Sequence, residues 1–298
     1  MSEKIGIVII DKSEGMTSQT VVNRVKRIFG VKKAGHTGTL DPMATGVLPV
    51  LLERGVKASE FMLTSDKHYG ATLLLGITTD TEDTTGEVLS RSEIIPTEDA
   101  VRAAAESLVG EILQTPPMYS ALKVGGKKLY EFAREGKVID REPRKITVYS
   151  IGVKRLSDRE YYLDVVCSGG TYIRTICADI GRLVGCGGVM SSLRRLTASG
   201  FPISEAHTLE ELENMTEEER VGVILPIERV FEKYDVVALP DFFARLAHHG
   251  LEIYQKKIKT AYNVGERVRL YDSLGFFAVG EVMQFEDGTA IKPIRQFR

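Results

Sequence analysis

The segment "KKAGHTGTLDPMATGVLPVLLE" (32–53) sets a single aspartate, Asp41, among three glycines and one histidine, then runs into apolar residues. Two readings fit. Asp41 is a turn residue ahead of a buried strand or helix, or the glycines let backbone approach a large ligand and Asp41 is the reactive group. A second segment, "GGTYIRT" (169–175), presents Arg174 after a glycine pair and an aromatic. An arginine beside an aspartate holds it ionised, typically lowering its pKa by about 1–3 units, and orients it by a bidentate contact. A carboxylate charged at neutral pH acts as a nucleophile or general base. His36 could stack on or hydrogen-bond to a base, and Tyr69 could lay its ring over a flipped base. Local hydrogen bonding and core packing are the alternatives for these two. No second carboxylate is evident near Asp41, which disfavours a hydrolase that cleaves a glycosidic bond with paired carboxylates.

The elements that must carry these groups follow from periodicity. "IGIVII" (5–10) reads as a buried strand. "SQTVVNRVKRIFG" reads as a helix with Thr17 or Ser18 as N-cap, Gly30 as its stop, and Val21, Val22, Val25, Ile28 and Phe29 on one face. "YGATLLLG" (69–76) is a strand, followed by the acidic, turn-rich "TDTEDTTGEV". "PTEDAVRAAAESLVG" is a helix capped by Thr97. "KITVYSIGV" and "EYYLDVVCS" are strands, the second alternating with Tyr161, Leu163, Val165 and Cys167 on one side. "GTYIRTICADIGRLVG" begins extended and becomes a helix with Ile176, Cys177, Ile180, Leu183 and Val184 inward. Residues 205–220 carry seven acids ahead of Arg220 and read as one solvated helix.

Strands and helices mix without regular alternation, which predicts an α+β fold. The last 60 or so residues turn to short strands split by Asn263-Val264-Gly265 and Asp287-Gly288, the texture of a small β-barrel. The expected division is a first domain over 1–235 and a second over 236–298.

The chain has 298 residues, 27% of them charged, and a net charge of -2. Basic residues are concentrated: from Ser120 to Leu156 there are ten against four acids. Such asymmetry suits phosphate contacts, with Tyr119, Tyr130 and Tyr149 available to stack on bases, or it is a solvated face balanced elsewhere. The backbone-contact candidates there are Lys123, Lys127, Lys128, Arg144 and Lys145, joined by Arg194. Three cysteines are too few for a disulfide framework and fit a reducing cytoplasm. No run is long enough to span a bilayer, and the first residues are not a secretory signal. No phosphate-binding or dinucleotide fingerprint occurs, and the cysteines and histidines lack metal-ligand spacing, so neither cofactor nor metal is indicated.

"GHTGTLDPMATGVLPV" resembles the signature loop of the TruB family of bacterial tRNA pseudouridine synthases. "IDKSEGMTS", "DKHYGATLLLGITTDTEDTTGEV", "TPPMYSALKVGGKKLYEFAREG", "REPRKITVYSI", "CSGGTYIRTICADIGRLVGCGG" and "LRRLTASGF" follow in the family's order, covering most of 5–205. The resemblance implies a mixed, largely antiparallel sheet flanked by helices, ending in a small PUA-like β-barrel. It implies isomerisation of the uridine at position 55, in the T arm of tRNA, to pseudouridine by a chain that can act as a monomer, without cofactor. By the same resemblance Asp41 is the catalytic carboxylate and Arg174 pairs with it. Tyr69 stacks on the target base and is a candidate late proton acceptor. His36 sits where the flipped nucleotide leaves, with Gly35, Thr37, Gly38 and Tyr172 beside the substrate and Lys12 and Leu193 lining the pocket.

The chain departs from the family's pattern at Ser13, where proline is usual, at Glu53–Val56, where Glu53 replaces a glycine, and at Val189, where another residue often stands. Two binding-or-chemistry alternatives remain beside this one: a module that grips the T arm without chemistry, and a hydrolase that would release free uracil.

Overall fold

The first strand of the chain is apolar at every position from Ile7 to Ile10 because both of its faces are covered. The computed structural model, which describes residues 4–120 and 122–298, makes this strand β1 (Gly6–Lys12), with Ile7, Val8, Ile9 and Ile10 all buried. Met1–Glu3 and Ala121, inside the expected first domain and the basic segment, lie outside the described residues.

Further strands are β2 (Ala34–His36), β3 (Thr45–Leu52), β4 (Lys67–Leu75), β5 (Gly110–Gln114), β6 (Arg144–Arg155), β7 (Glu160–Cys167) and β8 (Gly188–Ala198). They form a sheet in the order β1–β3–β8–β4–β7–β6–β5, with β2 added on β3 and Phe201–Pro202 on β8. All neighbours along this path are antiparallel except β3 and β8, which run parallel through Thr45–Arg194 and Gly46–Arg195. The fold is therefore α+β with a mixed, largely antiparallel sheet. Gly46 sits at the parallel contact with φ +98°, and a Cβ there would lie 2.2 Å from the Arg195 carbonyl oxygen, so only glycine lets the strands approach.

Three helices cover one face: α1 (Ser18–Phe29), α2 (Glu98–Glu106) and α3 (Ile173–Leu183). Thr17 caps α1 by accepting from the Thr20 N–H, and Gly30 ends it in the left-handed conformation. Val21, Val22, Val25 and Phe29 point into the core, as the spacing predicts. Thr97 caps α2 in the same way. In β7 the alternation is complete, with Tyr161, Leu163, Val165 and Cys167 buried. Along α3 the inward set is Ile173, Ile176, Cys177 and Ile180, whereas Leu183, expected inside, is 48% exposed at the last residue of the helix. All three cysteines are buried and free.

Residues 205–220 are not one helix. They form two short ones, Leu209–Asn214 and Glu217–Gly222, each with its own capping box, Thr208 with Glu211 and Thr216 with Glu219. Six of the seven acids are exposed, as expected of a solvated face, and two of them reach cations, Glu213 pairing with Arg24 and Glu217 with Lys4.

Asp235 opens a second sheet of β9 (Asp235–Ala238), β10 (Ile253–Tyr254), β11 (Arg267–Asp272), β12 (Gly275–Phe285) and β13 (Gly288–Gln296), ordered β9–β11–β12–β13–β10. It curls into a half-barrel with helix α4 (Asp241–His248) packed on it. This sheet shares a core with the first. Phe231 is fully buried among Phe61 (5.1 Å between centroids), Phe276 (5.9 Å) and Phe297 (5.4 Å), and the cluster continues to Ile7, Ile9, Val47 and Leu51 on the second face of β1 and β3. Glu228 receives Arg269 Nη1 at 2.7 Å and the Tyr271 hydroxyl. Phe231→Ala is expected to lower stability by about 3–5 kcal/mol, the usual cost of removing a buried aromatic. Urea denaturation followed by circular dichroism checks this, and a loss under about 1 kcal/mol would show that the shared core is loose.

Candidate active site

Asp41 lies on the loop between β2 and β3, and three side chains shape that loop from below. Ser18, on the first turn of α1 and 2% exposed, satisfies both backbone groups of Leu40: its hydroxyl donates to the Leu40 oxygen (3.1 Å) and accepts from the Leu40 N–H (2.9 Å). Lys12, at the end of β1, gives its ammonium protons to the carbonyls of Ser13 (3.0 Å), Pro42 (3.1 Å) and Ala44 (2.6 Å). It is fully buried, so it does not line the pocket as expected but holds the loop on both sides of Met43. Burial lowers its pKa to about 8, with Asp41 and Glu14 pulling upward.

The third side chain is Arg174, on the first turn of α3 and 6% exposed. Its Nε lies 3.1 Å from Asp41 Oδ2, its Nη1 donates to the Thr81 carbonyl (3.0 Å), and its Nη2 donates to the Tyr119 carbonyl (2.8 Å). The backbone just before it is pinned as well: Gln114, 3% exposed, accepts from the Tyr172 N–H (2.8 Å) and donates to the Tyr172 oxygen (3.1 Å). Arg174 thus joins the Asp41 loop to two other loops.

A second carboxylate does stand near Asp41, contrary to the expectation from sequence. Asp83 is 4% exposed, with Oδ2 3.6 Å from Arg174 Nη1. Its Oδ1 accepts from the Thr81 hydroxyl (2.8 Å), the Thr85 N–H (2.9 Å) and the Thr85 hydroxyl (2.5 Å). Those three donors on one oxygen fix the Asp83 carboxylate in place beside the Arg174 guanidinium. The acidic hairpin that carries it folds back on β8, where the Met190 N–H donates to Glu82 O (3.1 Å) and the Thr84 N–H to Met190 O (3.1 Å).

The pKa of Asp41 is raised from the ordinary carboxylate value of 3.8, not lowered as the arginine alone predicts. Burial is the largest cause, Asp83 adds to it, and Arg174 and Lys12 oppose it. Its side chain keeps 36% exposure, so it remains open to a ligand from one side.

Tyr69 on β4 is 7% exposed, and burial raises its pKa above 10, which leaves a neutral phenol at neutral pH. Its ring can stack, while a phenolate base is absent from the resting site. His36 ends β2 with Nδ1 buried and unpartnered, and burial together with the Arg195 charge lowers its pKa, so the imidazole is neutral. Leu193, 9% exposed on β8, lines a cleft of about 350 Å³ with Met43, Thr45, Gly70, Tyr162 and Arg194. Gly38 has φ +96° and Gly35 packs near Val56. Thr37, expected beside the substrate, is fully buried with its hydroxyl turned inward, so it is part of the loop's support.

The basic candidates are partly engaged. Lys127 pairs with Glu135, Lys145 with Glu111 (2.8 Å), and Arg194 with Asp11 through two bonds (3.1 and 2.7 Å). Lys128 reaches the Tyr130 hydroxyl. Lys123 and Arg144 make no ion pair among the described residues. Exposed pairs of this kind are weak enough to exchange for phosphate.

Two family models match consecutive stretches of the chain: the TruB family pseudouridylate synthase N-terminal domain over residues 26–173 and the tRNA pseudouridylate synthase B C-terminal domain over 174–232. A tRNA pseudouridine synthase B of Methylobacillus flagellatus is 40% identical over 93% of this chain and 90% of its own length. One of Alkaliphilus oremlandii is 42% identical over 93% of each. The chain belongs to the TruB family. Members of that family make pseudouridine in tRNA. The whole fold, half-barrel included, also superposes on a chain of the crystal structure of a Cbf5-Nop10-Gar1 complex, with a TM-score of 0.75, 27% identity, and coverage of 99% of this chain and 85% of that one.

The departures from the TruB pattern have local explanations. The carbonyl of Ser13 is one of three that fix Lys12, so proline is not needed for that contact. Glu53 takes φ +50°, the region its glycine counterpart would enter freely, and its Oε1 accepts from the N–H groups of Lys32 (2.5 Å) and Lys33 (3.4 Å) ahead of β2. Those bonds offset a backbone strain of about 1–3 kcal/mol. Val189 is a core residue of β8. Sequence reasoning did not connect Ser18, Gln114 or Asp83 with the site. Thr81 and Thr85 flanking Asp83 are the one signal that could have marked a hydrogen-bonded aspartate.

Proposed function

We propose that this TruB-family chain converts the uridine at position 55, in the T arm of tRNA, to pseudouridine with Asp41 as the catalytic carboxylate. The observation that carries the reading is the 3.1 Å contact between Arg174 Nε and Asp41 Oδ2, with Arg174 buried and Asp41 open on one side. Arg174 has no freedom to leave, so Asp41 is presented in one orientation, as a group that must meet a ribose or uracil carbon requires.

The reaction breaks the N1–C1′ bond, turns the uracil and joins C5 to C1′. The proton on C5 leaves to water and one returns to N1, so the balance is an isomerisation without an external electron donor. The base must leave its stack to reach the loop. Tyr69 offers a ring for it, His36 a neutral imidazole at the vacated place, and Leu193 an apolar wall. Lys123 and Arg144, which make no ion pair among the described residues, suit the RNA backbone. One chain holds every group named, so a monomer suffices, and the three thiols fit a reducing cytoplasm.

A tRNA transcript with cytidine at position 55 tests the assignment. It is expected to yield no pseudouridine, while an isolated T-arm hairpin with uridine there is modified. Pseudouridine elsewhere in the cytidine transcript would refute the position. The pH dependence follows from the raised pKa. Asp41 works ionised, so the single-turnover rate falls as pH drops through its pKa, and that limb lies above pH 3.8. A limb below 3.8 would mean that the rate reports another group.

A further inference from the structure

Arg195 is the largest side chain in the fold that is essentially sealed, at 1% exposure, and it makes no ion pair among the described residues. A buried guanidinium without an acid carries an effective desolvation penalty of several kcal/mol. Something must hold it there. Its Nε donates to the Val47 carbonyl at 2.7 Å and its Nη2 to the Gly38 carbonyl at 3.2 Å. Gly38 lies three residues before Asp41 and Val47 six after it, so one planar fork grips both ends of the catalytic loop.

Its backbone position matters equally. Arg195 stands opposite Tyr69 on β4 and opposite Gly46 on β3, where the sheet changes from antiparallel to parallel pairing. A register shift between Arg195 and Thr197 re-aims the strand there. Arg195 and Tyr69 are direct partners across the two strands, so their side chains leave the same face of the sheet, and the guanidinium charge offsets part of the effect of burial on that phenol. The one fork therefore ties the loop of Asp41 to the strand position that faces Tyr69.

We infer that Arg195 is a positioning residue for the reaction, setting the Tyr69 ring against the Asp41 loop by holding the Val47 and Gly38 carbonyls and the Tyr69 hydroxyl together. The inference rests on Asp41 and Tyr69 as the reacting and stacking groups. Lysine keeps the charge but cannot form the fork.

The test uses the full chain with Arg195→Gln, Arg195→Lys, Tyr69→Phe and the two doubles, read by melting temperature, full-length tRNA affinity at fixed salt, and single-turnover rate. Arg195→Gln is expected to keep its tRNA affinity within roughly threefold while its rate falls about 100-fold, as for a misplacement of order 1 Å, with Arg195→Lys in between. Adding Tyr69→Phe to Arg195→Gln is expected to slow the reaction less than it slows the wild type, because the two act through one contact. A folded Arg195→Gln or Arg195→Lys at wild-type rate overturns the inference, as do effects that multiply fully. Should Arg195→Gln not fold, Arg195→Lys carries the same cycle. Tyr69→Phe removes only a hydroxyl, and a rate within roughly threefold of wild type for it would overturn the inference by itself. An active Asp41→Asn would instead sink the underlying reading, whatever the Arg195 variants do.

Discussion

Arg174→Met is expected to cost about 3–5 kcal/mol of stability and to lower the single-turnover rate of the folded fraction about 1,000-fold. The stability loss comes from Asp83, which is 4% exposed and would lose the cation beside it. Two carbonyls, those of Thr81 and Tyr119, would lose their donors in the same step. The rate loss comes from Asp41, which would be free to turn and would take up a proton more readily once its closest cation was gone. Arg174→Lys keeps the charge but can serve only part of the fork, and an intermediate loss is expected from it. Chemical denaturation and single-turnover kinetics on the same preparations check both numbers. A folded Arg174→Met with a rate within roughly threefold of wild type would show that the ion pair is architectural only.

How much of this was readable from sequence depends on whether a residue's fate is set locally. Asp41 and Arg174 follow glycines by three and four residues, Gly38 and Gly170, near element boundaries where the chain turns sharply, and both are legible as site candidates. The caps at Thr17 and Thr97 and the stop at Gly30 are local too, and they fall where the spacing predicts. The break in the acidic segment at Met215–Thr216 is also written locally, as a second capping box, Thr216 with Glu219, inside what reads as one acidic helix.

Asp83 is different. In "TDTEDTTGEV" it looks like one more acid of a solvated hairpin, and it is buried only because that hairpin bridges back to Met190, far along the chain. The two arginines at 194 and 195 show the same limit. Alternation sends one out to Asp11 and the other into the core. Which goes where depends on register shifts at Met190/Ser192 and Arg195/Thr197, and these are set by pairing with β4. Lys12 ends an apolar strand and would be taken for a residue at the pocket wall. Its three carbonyl partners come from its own turn and from the loop some 30 residues on.

Asp41→Asn should separate chemistry from folding. At Asp41 the folded pKa lies above the unfolded value, so the ionised form costs the fold stability once pH exceeds the folded pKa, and that cost is absent below pH 3.8. Asparagine escapes it and keeps the shape, while Arg174 retains Asp83 as counter-charge. The melting temperature is therefore expected to stay within roughly 2 °C of wild type at neutral pH. The direct measurement is tritium release to water from tRNA labelled at uracil C5, with wild type and Asp41→Asn assayed in parallel and the modified position mapped. Release by the wild type alone, with pseudouridine at the T-arm site, is the expected result. Comparable release by Asp41→Asn, or tight tRNA binding by a wild type that releases none, would contradict the assignment of Asp41 as the catalytic carboxylate.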